Sequence, residues 1–309
     1  MKSLQAYRRE IEKALGEALS DCMAEFPKRE FEEPDYTAGI ALGLPKYTAG
    51  IALGVPKQMK KKGSLPGLRF GGCFIHQSPR ITYQYHGKTS CELGDLLILY
   101  RDRTAKRERF NAALMQLKMA DRTDIDAKQC RVYTQWPPFD FGMAFSDKPH
   151  YDVYPKTVTQ GALYVFVHTE TNLRFTVAAP NDRVYANGID IRHGEPLEQF
   201  LSGFVTWTNG RTISDERCKR EDSWSYLVWN LIDFLKDRAF KRRNISQDNS
   251  KNTKERFDRR NGDFFNDLLE EDIEVERDIM QEPIGNQGIG LLLIDKSNPT
   301  NEIEVNEGR

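Results

Sequence analysis

Between residues 3 and 26 apolar side chains recur at helical spacing: Leu4, Ile11, Leu15, Ala18, Leu19, Cys22 and Phe26 share one stripe, and Pro27 follows. A period near 3.6 buries one face, so this stretch predicts a long amphipathic helix. The chain then repeats itself. Residues 36–46 read YTAGIALGLPK and residues 47–57 read YTAGIALGVPK, identical at ten of eleven positions. Two short copies cannot build a solenoid, which needs about three or more longer repeats to bury a core. They read as a local duplication within a loop or short helix, and nothing in them supports a doubled contact surface. The basic stretch KQMKKKGSLPG over 57–67 predicts a hinge.

From about residue 70 the period shortens to that of strands. RITYQYHG (80–87), DLLILY (95–100), AALMQLKM (112–119), ALYVFVHTE (162–170) and LRFTVAAP (173–180) are predicted strands separated by turn-rich pieces. A short helix is expected over 129–136, ended by Pro137 and Pro138. Helical spacing returns over 196–207 and over 223–243, where Trp224, Leu227, Val228, Leu231, Leu235 and Phe240 form a core-facing stripe. Residues 244–282 are weakly apolar and charged, which predicts a flexible or surface-hugging segment. GIGLLLIDK over 288–296 predicts a last strand that returns to the sheet or docks on the body. The expected division is a body over 1–243, a flexible charged segment over 244–282, and a C-terminal strand and tail over 283–309.

Bulk properties narrow the picture. At 309 residues, 39% hydrophobic and 29% charged, the chain has ample length for a real core. Its net charge of -1 neither favours nor excludes nucleic acid, because binding uses local patches that a sum hides. No apolar run reaches membrane-spanning length and the first residues lack the apolar core of a signal peptide, so a cytoplasmic protein is expected. Cys22, Cys73, Cys91, Cys130 and Cys218 stand singly and suggest neither disulfides nor zinc. No spacing among the five histidines would hold a metal. Phosphate-binding and dinucleotide-binding glycine loops are missing, as are nucleophile-elbow and Cys-His signatures.

The run AALMQLKM holds the strongest candidate chemistry. Side chains alternate along a strand, so Gln116 and Lys118 share one face while Met115, Leu117 and Met119 share the other. An ammonium drawn into a buried strand needs a counter-charge or a ligand. The connection RDRTAKRERFN is short enough for DLLILY and AALMQLKM to be antiparallel neighbours. With pairing starting near Tyr100 and Ala112, Asp95 falls opposite residues 117–118 and reaches both Gln116 and Lys118. Oxygens of Asp95 and Gln116 could then hold Mg2+ or Mn2+, with Lys118 orienting a metal-bound water or stabilising charge on a phosphate.

An acidic residue on one strand followed by Q-x-K on the next resembles the PD-(D/E)xK nuclease superfamily, in the variant found in Mrr-like restriction enzymes. Asp95 matches the aspartate, and Gln116-Leu117-Lys118 matches Q-x-K. The resemblance covers roughly residues 3–26 and 70–180. It implies an α/β, restriction-endonuclease-like core over about 70–180: a mixed central sheet flanked by helices, with helical and flexible additions that include the duplicated insert 36–57. It also implies a Mg2+- or Mn2+-dependent DNA endonuclease, active in restriction or defence against phage, with an activating or sensing partner protein and a homodimer where both strands are cut.

The family often adds a glutamate from the first helix. Glu12 and Glu25 flank the apolar stripe there, and Glu12 is the expected third acid. Glu92 competes, although alternation sends it to the face opposite Asp95 unless Gly94 introduces a bulge. Arg101, Arg103, Lys106, Arg107 and Arg109 in the connecting loop are the candidate contacts to a nucleic-acid backbone. The competing reading is a non-catalytic nucleic-acid-binding or protein-interaction module that keeps this fold and uses Asp95 and Lys118 as a structural ion pair.

Overall fold

A computed structural model describes residues 3–25, 50–63, 65, 67–75, 79–120, 126–141, 150–156, 161–168, 174–180, 194–216, 222–242, 264–270 and 289–298. In chain order these form helix α1 (Leu4–Glu25), a π-helical turn (Gly50–Gly54), α2 (Val55–Lys62), then strands β1 (Leu68–Ile75), β2 (Arg80–Gln84), β3 (Lys88–Glu92), β4 (Leu96–Asp102) and β5 (Arg109–Met119). Helix α3 (Ala127–Gln135) precedes β6 (Phe139–Phe141), β7 (His150–Tyr151), β8 (Ala162–His168), β9 (Arg174–Ala178) and β10 (Glu195–Pro196). Helix α4 (Leu197–Val205), β11 (Arg211–Ile213), α5 (Ser223–Arg242), α6 (Phe264–Glu270) and β12 (Ile289–Lys296) complete the chain.

The molecule is α/β. Its main sheet runs β1-β12-β4-β5-β8-β9-β10, with β11 paired to β5. It is mixed: β12 lies parallel to β4 and β8 parallel to β5, while β4 and β5 are antiparallel. Alternation divides the side chains between two cores. Leu96, Ile98, Met115, Leu117 and Leu163 pack beneath α1, α2 and α4, whereas Leu97, Leu99, Leu114 and Tyr164 pack beneath α3, α5 and α6. A second, antiparallel sheet of order β3-β2-β6-β7 lies on the α3 side. With both faces covered, β4 and β12 are buried almost throughout, as expected of strands that read as continuous apolar runs.

Several expectations need correction. The stretch expected as a hinge over 57–67 carries α2, whose Val55 and Met59 are buried with Ile51 and Ala52 from the second copy of the repeat. The first copy lies outside the described residues. The strand β1 escaped notice because Gly71 and Gly72 interrupt its apolar pattern. Those glycines are there because a side chain would not fit: a Cβ at Gly72 would lie 1.9 Å from the Ala52 carbonyl oxygen. Within the segment expected to be flexible, α6 buries Phe264, Phe265, Leu268 and Leu269. The last strand, by contrast, does return to the sheet, where β12 lies between β1 and β4.

Candidate functional site

Asp95 stands where the chain passes from β3, in the small sheet, to β4, in the large one. Its backbone is fixed on both sides: its N–H donates to the Met115 carbonyl at 2.9 Å, and its own carbonyl accepts from the Gly290 N–H at 2.8 Å. Gly94 lets this passage run close to its neighbours, since a Cβ there would meet Leu114 at 2.7 Å and the Tyr133 hydroxyl at 3.0 Å. Tyr133 in turn donates to the Leu93 carbonyl at 2.7 Å.

The β4–β5 register pairs Leu96 with Met115 and Tyr100 with Asn111. Continued by one residue, it sets Asp95 across from Gln116, one position from the register expected. The Gln116 amide donates to Asp95 Oδ2, and the Leu117 N–H donates to the same oxygen at 2.8 Å. Gln129, from α3, donates to Gln116 Oε1 at 2.6 Å and to the Glu92 carbonyl at 3.3 Å. The amide orientations follow from chemistry, because a carboxylate and a backbone carbonyl at the two ends of the chain can only accept. The order is therefore Glu92 carbonyl, Gln129, Gln116, Asp95. Asp95, Gln116 and Gln129 are 7%, 2% and 4% exposed.

Burial first, and the nearby Glu92 charge second, push the Asp95 pKa up to about 7. The Leu117 N–H, the Lys118 charge and the Gln116 amide act the other way. Burial outweighs them because the charged form loses hydration that two hydrogen bonds replace only in part.

The predicted residues separate into two groups. Asp95, Gln116 and half-buried Lys118 share the α3 side of the sheet, as alternation requires. Lys118 influences Asp95 through its charge but forms no ion pair with it within 4.0 Å, so the carboxylate is held by an amide and a backbone N–H instead of by the ammonium. Nor does the Gln116 carbonyl turn outward beside Asp95 as a metal ligand, because it accepts from Gln129.

Glu12 is across the sheet. Helix α1 packs on the opposite core, and Glu12 lines a polar recess with Arg8, Arg9, Glu195 and Asn209. The Glu25 side chain lies outside the described residues. Glu92 is the second acid near Asp95: β3 ends at Glu92 and β4 begins at Leu96, so strand alternation does not carry across the passage between two sheets.

The basic loop is also misplaced in the sequence reading. A hairpin that sets Asp95 against Gln116 at its open end puts residues 103–108 at its closed end, about 26 Å away at roughly 3.3 Å per residue. There Arg101 is buried and bonds Asp295 at 2.5 Å, Arg103 bonds the same carboxylate at 2.6 Å, and Arg109 bonds Asp102 at 2.8 Å. Lys106 and Arg107 are exposed at the tip.

Sequence reasoning missed Gln129 and Tyr133. They stand four apart on a helix that directly follows the Q-x-K strand, a spacing that puts both on one helix face. A buried amide and a buried phenol on that face were the available signal. Among the described residues no group of three or more His, Cys, Asp or Glu side chains could hold a metal ion. No described helix is long and apolar enough to cross a membrane. No protein-family model, curated protein or solved structure matches the chain.

Proposed function

We propose that this protein is a metal-dependent endonuclease that hydrolyses phosphodiester bonds of DNA, with a core of the PD-(D/E)xK kind and a role in restriction or defence against phage. The observation that carries the reading is Asp95 facing Gln116 across β4 and β5, with Lys118 two residues on and Glu92 close enough to raise the Asp95 pKa.

The nearness of a second carboxylate, Glu92, to Asp95 supports a hard cation there. Among the described residues nothing bonds Asp95 Oδ1, and that oxygen together with the Glu92 carboxylate would hold Mg2+ or Mn2+, which commonly bind through one or two carboxylates and keep several waters. When bound, such a cation supplies Lewis acidity and a water that ionises near neutral pH. Gln116 and the Leu117 N–H fix Asp95 Oδ2, which leaves Oδ1 as the working oxygen. Gln129 holds Gln116 in that orientation. Lys118 stabilises negative charge developing on the phosphate, a contribution typically worth two to three orders of magnitude in rate.

Plasmid DNA incubated with the purified protein tests this reading. Nicking or linearisation is expected with Mg2+ or Mn2+ and none with EDTA. Cleavage undiminished by EDTA would contradict it.

The second reading, a non-catalytic module on the same fold, is favoured by the buried run of amides, an arrangement that serves packing equally well. It predicts that Mg2+ leaves the melting temperature unchanged at pH 8. A metal site predicts that Mg2+ raises it in the wild type and not in Asp95→Asn.

A further inference from the structure

The nuclease reading requires a backbone-binding surface, and the loop that its sequence recommended lies at the wrong end of the hairpin. The residues around Asp95 offer another. Helix α3 sends Gln129 into the site and carries Lys128, exposed, and Arg131, half-buried. The start of α3 is tied to β2 by the Tyr83 hydroxyl, which donates to the Lys128 carbonyl at 2.7 Å. The Arg131 guanidinium lies 4.3 Å from the centre of the Tyr85 ring, at the turn between β2 and β3. That turn is sharp, with His86 at φ 47° and Gly87 at φ 105°, and it presents exposed Lys88 beside Tyr85 and His86.

The cations in this region differ from those at the closed end in one respect. Arg69, Arg101 and Arg103 share the Asp295 carboxylate, and Arg109 is bound to Asp102. Arg80, Lys88, Lys118, Lys128 and Arg131 have no carboxylate within 4.0 Å among the described residues, and Arg131 Nε is buried without a hydrogen-bond partner. A guanidinium stacked on a ring keeps its edge donors in the plane, where they suit the fork geometry of a phosphate. Five cations without an ion-pair partner among the described residues thus stand on α3, β2, β3 and β5 around Asp95, with Asp126 and Glu92 as the acids among them.

We propose that the α3 face and the β2–β3 turn bind the phosphodiester backbone of the DNA strand delivered to Asp95, with Lys88, Lys128 and Arg131 contacting successive phosphates. The inference rests on the nuclease reading for the identity of the ligand. The closed end of the β4–β5 hairpin, where three arginines converge on Asp295, is structural.

Binding is measured by fluorescence anisotropy on labelled duplex DNA, without divalent ions, in an Asp95→Asn background, so that cleavage plays no part. The triple variant Lys88→Gln, Lys128→Gln, Arg131→Gln is expected to bind at least tenfold more weakly, with a salt slope shallower by about 2–3. The double variant Lys88→Gln, Lys128→Gln alters only exposed side chains, so it guards against a folding defect and should lose roughly half of that effect on a logarithmic scale. The pair Lys106→Gln, Arg107→Gln at the far tip is expected to change affinity less than twofold. Equal binding by the triple variant, or an equal loss in the far pair, overturns the inference. RNA of the same sequence bound as tightly as DNA overturns the assignment of DNA. Wild type that binds through these residues and never cleaves sinks the nuclease reading while leaving the surface in place.

Discussion

Two aspartates lie buried in the central sheet, Asp295 near the end of β12 and Asp95 at the opposite end of the neighbouring β4, and their surroundings differ sharply. Asp295 is fully buried, with one oxygen bonded by Arg101 and the other by Arg103 and Arg69. Three cations converge on one carboxylate, and the Arg101 guanidinium is completed by Asn266 and the Phe265 ring. Asp95 has no arginine and no contacting lysine. Its second acid is a like charge, and one of its oxygens is left without a hydrogen bond among the described residues. The first arrangement satisfies a charge, while the second keeps one poorly satisfied. A site that has to receive a cation needs the second kind, since a carboxylate already neutralised has little left to offer.

Removing each carboxylate separates the two roles. Asp295→Ala should lower stability by about 3–5 kcal/mol, read from the urea midpoint, because it strands buried Arg101 without its counter-charge. A loss under 1 kcal/mol would mean that the arginines are not organised by Asp295. Asp95→Asn should do the opposite at alkaline pH. The folded-state pKa of Asp95, about 7, lies above its ordinary value of 3.8, so the folded protein holds the proton more tightly than the unfolded chain. That contribution is fully present below about pH 4 and is lost as pH rises through 7. At pH 8 the amide variant should therefore be more stable than wild type by about 2–4 kcal/mol, with the difference vanishing near pH 4. Equal stabilities at pH 8 would show that burial does not penalise this carboxylate.

A smaller effect probes the amide chain. Gln129→Leu leaves Gln116 Oε1 buried without its donor, which should cost about 1–3 kcal/mol. As a positioning residue, Gln129 should affect kcat and leave KM nearly unchanged, so a loss of stability with unaltered turnover would reduce it to packing.

The hairpin at the centre of the site was legible because it needs only local information. Period-two alternation placed Gln116 and Lys118 on one face, and a short connection made β4 and β5 neighbours. Register was harder: the turn geometry, absent from the apolar pattern, decides whether Asp95 meets Gln116 or Leu117. Choosing among Glu12, Glu25 and Glu92 required knowing which face of the sheet α1 covers, a long-range fact that the α1 stripe alone does not contain. Glu92 was discounted by a rule that holds within one strand and fails where the chain changes sheets. The loop arginines could have been placed from the sequence, since a hairpin necessarily sets its closed end far from the head of its first strand. β12 was readable as a strand, but its place between β1 and β4 comes from pairing across nearly two hundred residues.

On the proposed reading Asp95, Glu92 and Lys118 cut on the α3 side of the sheet, and Glu12, on the other side, takes no part. Plasmid cleavage in Mg2+ at pH 8, compared among wild type, Lys118→Ala and Glu12→Gln, tests it most directly. Glu12→Gln is expected to cleave within twofold of wild type, and Lys118→Ala to lose about two orders of magnitude or more. Cleavage that survives in Lys118→Ala, or that disappears in Glu12→Gln, would contradict it.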